Sequence, residues 1–141
     1  MKQKELTGVF ALYTDGASRG NPGEAGAGAV ILDDQGEELA ARSFYLGKCS
    51  NNVAEYKALI FGLQAALELG CRQLEIFLDS QLIVRQVQGQ YKVKNAGLKP
   101  LFAQVKQLLA KLNSFTISHV PRNENKRADE LANRGIDDKN L

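Results

Sequence analysis

The chain has no tryptophan, one methionine, one histidine, three prolines and two cysteines in 141 residues. Cys49 and Cys71 show neither a CxxC pattern nor any metal-ligand spacing, which argues against a thiolate zinc site and a disulfide framework. They read as reduced, partly buried small hydrophobes. A lone histidine cannot build the clustered ligand set of a tight zinc centre. Neither GxGxxG nor GxxxxGK[ST] occurs, so the common backbone cradles for nucleotides are missing. No apolar run is long enough to cross a bilayer, and Met1-Lys2-Gln3-Lys4-Glu5 carries no apolar signal stretch. The expectation is a cytoplasmic protein with no membrane partner.

What remains is ordinary for a soluble globular domain: 44% hydrophobic and 24% charged residues. The length suits one domain, residues 1–141, with a single core. The formal net charge of +2 hides a segregation. Residues 80–128 hold nine basic side chains against Glu124 alone, a net +8, while residues 1–79 carry −4 and residues 129–141 carry −2. A polyanion could be gripped by the middle segment while carboxylates elsewhere hold cations, although solvated lysine faces on helices produce the same count.

Three apolar runs, residues 9–14, 25–32 and 39–46, are separated by a glycine-rich stretch (16–23) and a charged turn (33–38). They predict a meander of antiparallel strands. Residues 51–69 show helical periodicity, with Gly70 placed to cap the end. A short strand at 74–78 then predicts a crossover onto the sheet as a parallel neighbour. A second helix (80–88), a basic loop (89–99) containing Tyr91, a third helix (101–112), a fifth strand (115–120) and a last helix (126–134) complete the reading. This is an α/β domain with a mixed sheet.

Four carboxylates fall at the junctions of these elements. Asp15 closes the first apolar run and is expected at the carboxyl end of its strand; Asp79 follows the fourth strand; Glu55 lies in the first turn of the long helix; Asp129 opens the last helix. Taken singly, each has a structural explanation, since Asp and Glu favour helix N-termini and Asp favours turns. Glu55 differs: at helical spacing it shares a face with Leu59, Gly62 and Ala66, the face that must be buried. An ionised carboxylate there is expensive unless it is paired or binds metal. Several carboxylates with no thiol and one histidine suit hard ions such as magnesium. Two such ions roughly 3.5 to 4 Å apart form the clamp used for in-line attack on phosphodiesters.

The segments Asp15-Gly16-Ala17-Ser18-Arg19-Gly20-Asn21-Pro22-Gly23, Asn51-Asn52-Val53-Ala54-Glu55, Leu78-Asp79-Ser80-Gln81 and Asn125-Lys126-Arg127-Ala128-Asp129-Glu130-Leu131-Ala132 resemble, in order, the four signature segments of type 1 ribonuclease H. The resemblance implies the ribonuclease H fold, a five-stranded mixed sheet of order 3-2-1-4-5 flanked by helices. It also implies hydrolysis of the RNA strand of RNA/DNA hybrids, leaving 5′-phosphate and 3′-hydroxyl ends. Asp15, Glu55, Asp79 and Asp129 would be the catalytic ligands of two magnesium ions, with manganese as a substitute. Asn21, Asn52 and Gln81 fall on positions that contact the minor groove of the hybrid, with Asn51 beside them. The backbone of Gly16, Ala17 and Ser18 would face the RNA, and Ser50 would help hold a DNA phosphate. An A-like minor groove displays the 2′-hydroxyls that distinguish RNA, and amide side chains both donate to and accept from them. The same amides could equally be caps or turn residues.

Two departures from the family pattern stand out. The lysine- and arginine-rich helical handle of many members is replaced by residues 89–99 alone, with Lys92, Lys94 and Lys99 offering partial compensation. His119 has the spacing of the family's loop histidine but lacks glycine flanks, which leaves it and Arg122 as rival auxiliary catalytic residues. A monomer is expected, with the hybrid as partner and double-stranded RNA as a second ligand to test. The alternative reading is a non-catalytic hybrid- or double-stranded-RNA-binding module of the same fold. A nuclease of this fold acting on junctions or duplex DNA is disfavoured by Asn21, Asn52 and Gln81.

Overall fold

The computed structural model describes residues 5–139; Met1 to Lys4 of the N-terminal stretch read above lie outside the described residues. The elements run β1 (Phe10–Gly20), β2 (Gly23–Leu32), β3 (Glu38–Cys49), α1 (Asn51–Leu69), β4 (Gln73–Leu78), α2 (Gln81–Val87), α3 (Lys99–Leu109), β5 (Ser114–His119) and α4 (Lys126–Asp137). A 3-10 turn, Arg122–Glu124, separates β5 from α4. The sheet order is β3-β2-β1-β4-β5, as expected. β1, β2 and β3 pair antiparallel, whereas β4 joins β1, and β5 joins β4, in parallel. Among the described residues no helix is long and apolar enough to cross a membrane.

Strand alternation sorts the two faces of the sheet. Leu12, Thr14 and Ala29 point toward α1, where a Cβ on Gly62 would meet all three. Their neighbours point the other way, and Gly28 is so close to α4 that a Cβ there would stand 2.2 Å from the Ala128 carbonyl oxygen. The main core therefore lies between the sheet and α1, with Leu59, Leu63, Leu74, Ile76, Leu78, Ile83 and Val105 essentially sealed from solvent. α1 is limited by local chemistry at both ends. Ser50 Oγ accepts the Val53 amide at 3.3 Å, and Gly70 turns left-handed (φ 94°) to donate to the last carbonyls. Cys71 is buried in the core, and both cysteines are free.

The structure corrects the sequence reading at the glycine-rich stretch. Residues 16–23 are not a loop: β1 continues to Gly20 and β2 begins at Gly23, so only Asn21 and Pro22 connect them. Asp15 is accordingly not at a strand end but in mid-ladder opposite Gly28. The strand that ends beside it is β4, whose last pair with β1 is Phe77 with Tyr13. Small residues face small residues here (Gly16 with Ala27, Ala17 with Gly26, Ser18 with Ala25). They mark close approach of neighbouring backbone, a use of strand glycine that composition cannot separate from a turn. α3 also starts earlier than read, with Pro100 in its first turn, and α4 runs three residues further.

α4 is also tied to the sheet edge by Arg127, whose Nε and Nη2 both donate to the Glu38 carboxylate at 3.0 Å. Both side chains are about 40% exposed, where ion pairs contribute little. Arg127→Ala is expected to lower unfolding stability by no more than ~1 kcal/mol in urea titration. A loss several times larger would mean that this pair, rather than the glycine-allowed backbone contact, seats the helix.

Candidate active site

Four elements deliver the carboxylates to one cleft. Asp15 comes from β1 where it outruns β4, Glu55 from the first turns of α1, Asp79 from the residue after β4, and Asp129 from the first turn of α4. All four line a cleft of about 390 Å³ together with Gly16, Ala17, Ser18, Arg19, Asn51, Arg122 and Asn133. Within it, one carboxylate oxygen each from Asp15, Glu55 and Asp79 lie within 4.8 Å of one another. Asp129 belongs to the same cleft but stands outside that tight group.

The electrostatics of the group follow from burial and like charge. Asp15 is 5% exposed and Glu55 8%. Burial pushes the Asp15 carboxyl far above the usual carboxylate range, and the adjacent charges of Glu55 and Asp79 push it further. Burial raises Glu55 as well, with Asp79 and Asp129 adding to the effect. Its closeness to Asp15 and the Gly16 amide act in the opposite direction. Two buried carboxyls side by side hold a proton rather than two charges.

Gly16 makes this geometry possible. Its amide donates to Glu55 Oε1 at 3.1 Å, and a Cβ at this position would lie 2.3 to 2.4 Å from the backbone of Ala54 and Glu55. The other oxygen, Glu55 Oε2, is buried without a hydrogen-bond partner. An unpaired buried oxygen on a carboxylate grouped with two further carboxylates is costly for the protein alone and suits a hard divalent cation. The donor set therefore fits magnesium or manganese: oxygen atoms only, with no thiol or imidazole among the grouped ligands.

The other expected residues distribute unevenly. Gly16, Ala17, Ser18 and Asn51 line the carboxylate cleft, as does Arg122. His119 does not; it ends β5 and lines an adjoining polar cleft with Gln81, Arg85, Gln88 and Ser118. Ser50 caps α1, Asn21 Oδ1 accepts the Asn51 amide at 3.2 Å, and Asn52 and Gln81 are exposed at the starts of α1 and α2. Ser18 Oγ donates to the Cys49 carbonyl at 2.9 Å, which joins the ends of β1 and β3 below the cleft.

Three residues of the site were not singled out from sequence. Asn133 Nδ2 donates to the Asp129 carbonyl at 3.0 Å, and the four-residue spacing on one helix was a signal that could have found it. Arg19 reaches the cleft wall while its guanidinium pairs with Asp137 at 2.7 Å. Asn125, just before α4, donates to Asp79 Oδ2 at 3.2 Å and to the Thr14 carbonyl at 2.9 Å. It heads the fourth signature segment, but nothing in the sequence pointed to these partners.

Known proteins resemble this chain over most of its length. A family model described as "Reverse transcriptase-like" matches residues 13–135. The chain is 40% identical over 136 residues to "Ribonuclease HI" of Halobacterium salinarum, covering 96% of this chain and 68% of that protein. The crystal structure of RNase H1 from the same archaeon covers 93% of this chain and 99% of its own at a TM-score of 0.91. A 43% match to "Bifunctional protein Rv2228c" of Mycobacterium tuberculosis spans 89% of this chain but only 35% of that protein. LC11-RNase H1, solved in complex with RNA/DNA hybrid, is 44% identical with a TM-score of 0.88, covering 92% of this chain and 98% of its own. With that sheet order, that gathering of carboxylates and relatives of this closeness, the chain belongs to the type 1 ribonuclease H family.

Proposed function

We propose that the protein is an endonuclease that hydrolyses the RNA strand of RNA/DNA hybrids with two divalent cations, magnesium by preference and manganese as a substitute. The observation that carries the reading is the group of Asp15, Glu55 and Asp79 oxygens within 4.8 Å, together with a Glu55 Oε2 that is buried without a hydrogen-bond partner. The structure of LC11-RNase H1 with an RNA/DNA hybrid supports the choice of substrate. Bound cations at such a site lower the pKa of an attacking water and neutralise charge on the departing oxygen.

The chain's own residues supply the rest. Asp15, Glu55 and Asp79 would hold the ions, and Asp129, which lines the same cleft, would complete the ligand set. Water oxygen adds to phosphorus as the bond to the ribose O3′ breaks; that oxygen takes up a proton, leaving a 3′-hydroxyl and a 5′-phosphate. Arg122, on the cleft wall, is placed to pair with phosphate oxygens, for which a guanidinium fork is suited. Asn21, Asn51, Asn52 and Gln81 lie at the N-terminal ends of α1 and α2 and at the β1–β2 turn, where they can read 2′-hydroxyls across a minor groove. His119, in the neighbouring cleft, is the weaker candidate for proton handling.

The test is incubation of the protein with end-labelled hybrid, duplex DNA, double-stranded RNA and single-stranded RNA, with and without magnesium. Hybrid RNA is expected to be cut only with metal, and the products are expected to carry 5′-phosphates by susceptibility to a 5′-phosphate-dependent exonuclease. Faster cleavage of duplex DNA than of hybrid overturns the substrate assignment. Tight binding of hybrid with no cleavage at saturating metal would instead favour a binding module of the same fold.

A further inference from the structure

An asparagine immediately before a helix ordinarily turns its side chain onto the helix's free amides. Asn125 precedes α4 and makes no such bond. Its side chain points inward and is 1% exposed. There Nδ2 donates both to the carbonyl of Thr14 (2.9 Å) and to Asp79 Oδ2 (3.2 Å), while the Asn125 carbonyl accepts the Asp129 amide (3.1 Å). One residue thus touches the backbone adjoining Asp15, the carboxylate of Asp79 and the turn that presents Asp129. Its own Oδ1 is buried without a partner.

That orphaned acceptor indicates what the position requires. A residue present for packing would be better filled by an apolar side chain, and a residue present for capping would face the helix. Asparagine instead supplies two N–H donors on one nitrogen without charge. Lysine or arginine would donate too, but would place a positive charge where cations are to bind. Serine offers a single donor on a shorter arm, and ionised aspartate offers none.

We infer that Asn125 is a positioning residue for the metal site: its amide fixes the Asp79 carboxylate relative to Asp15 and registers the first turn of α4, with Asp129, against β1. The inference rests on the proposed metal-binding reading of the cleft. Residues bonded behind metal ligands commonly alter metal affinity ten- to a hundredfold when removed.

The test is manganese binding to the metal-free protein, followed by electron paramagnetic resonance of the free ion, for the parent chain, Asn125→Ala and Asn125→Ser. Circular dichroism and thermal unfolding are run on each. The serine variant can cap α4 and is expected to remain folded. Both variants are expected to bind manganese at least tenfold more weakly, and their activity to need correspondingly more metal for half-saturation. Turnover at saturating metal should stay within about tenfold of the parent. Folded Asn125→Ser with manganese affinity within twofold of the parent would overturn the inference, as would loss of thermal stability in Asn125→Ala with unchanged affinity. Failure of the parent chain itself to bind manganese would instead sink the metal-site reading, and the two failures are separable.

Discussion

Asp15→Asn is expected to abolish hydrolysis and, in the same protein without metal at pH 8, to raise the melting temperature. The two effects have one cause. Asp15 and Glu55 are buried carboxyls whose pKa values lie above those of the unfolded chain, mainly through burial and then through neighbouring charge, that of Glu55 and Asp79 on Asp15 and that of Asp79 and Asp129 on Glu55. Between the two ranges the folded protein holds protons that the unfolded chain has released. The stabilising contribution is therefore fully present below about pH 4, the unfolded carboxyl range, and is lost as pH rises through the folded values. Metal-free protein should lose stability from pH 5 to pH 8, and magnesium should restore it by binding only the folded state. Asparagine matches the protonated, neutral Asp15 at nearly constant volume, so folding at pH 8 no longer has to take up that proton, and its amide can donate to the Glu55 carboxylate within reach. Freedom from that proton uptake is worth roughly 2 kcal/mol, or about 5 to 10 °C in a chain of this size. Activity should fall at least about 1000-fold, since each 1.4 kcal/mol of lost transition-state stabilisation is about tenfold and metal ligation supplies several kcal/mol. Thermal melts at pH 5 and pH 8, with chelator or magnesium, make the check. A lower melting temperature for Asp15→Asn in chelator at pH 8 would mean that the carboxylates do not repel one another as the structure requires.

Gly16→Ala is expected to damage the site more than any other single methyl group. The added carbon would stand 2.3 Å from the Ala54 carbonyl carbon and 2.4 Å from both the Ala54 oxygen and the Glu55 nitrogen. These are backbone atoms, so no side chain can swing aside; the start of α1 must move away from β1. That movement withdraws Glu55, whose Oε1 now receives the Gly16 amide, from Asp15 and Asp79. Overpacking typically costs about 1 to 3 kcal/mol, and the upper end or beyond is expected here because the helix terminus is displaced. A shift of about 1 Å at a ligand can cost on the order of 100-fold in rate. Urea unfolding and steady-state cleavage should show both losses together. Wild-type stability with full activity would refute the close approach of β1 to α1.

The helix α1 was legible to the residue because its limits are set locally, by a serine accepting an amide three positions on and a glycine free to turn left-handed. Glu55 was legible as anomalous for a similar reason: helical spacing alone places it on the face that must be buried. The extent of β1 was not legible. Glycine carries the same signal in a turn and in a strand crossed by another backbone, and only the arrival of α1 and α4 distinguishes them. Asn125 was hidden because its partners, Thr14 and Asp79, are 111 and 46 positions away.

The rival candidates His119 and Arg122 are separated by where β5 stops. Three residues of chain, turning through Arg122–Glu124, put the guanidinium on the carboxylate cleft and leave the imidazole on the adjoining one. By itself, then, the sequence determined the order and kind of the elements, most of the helix limits and the identity of the acidic residues, because these depend on propensities and bonds spanning a few positions. Tertiary structure alone decided that three of the carboxylates converge within 4.8 Å, that burial raises Asp15 and Glu55 above the usual carboxylate range, and that Arg122 rather than His119 lines their cleft. Those outcomes depend on strand register and helix approach, summed over contacts distant in the chain.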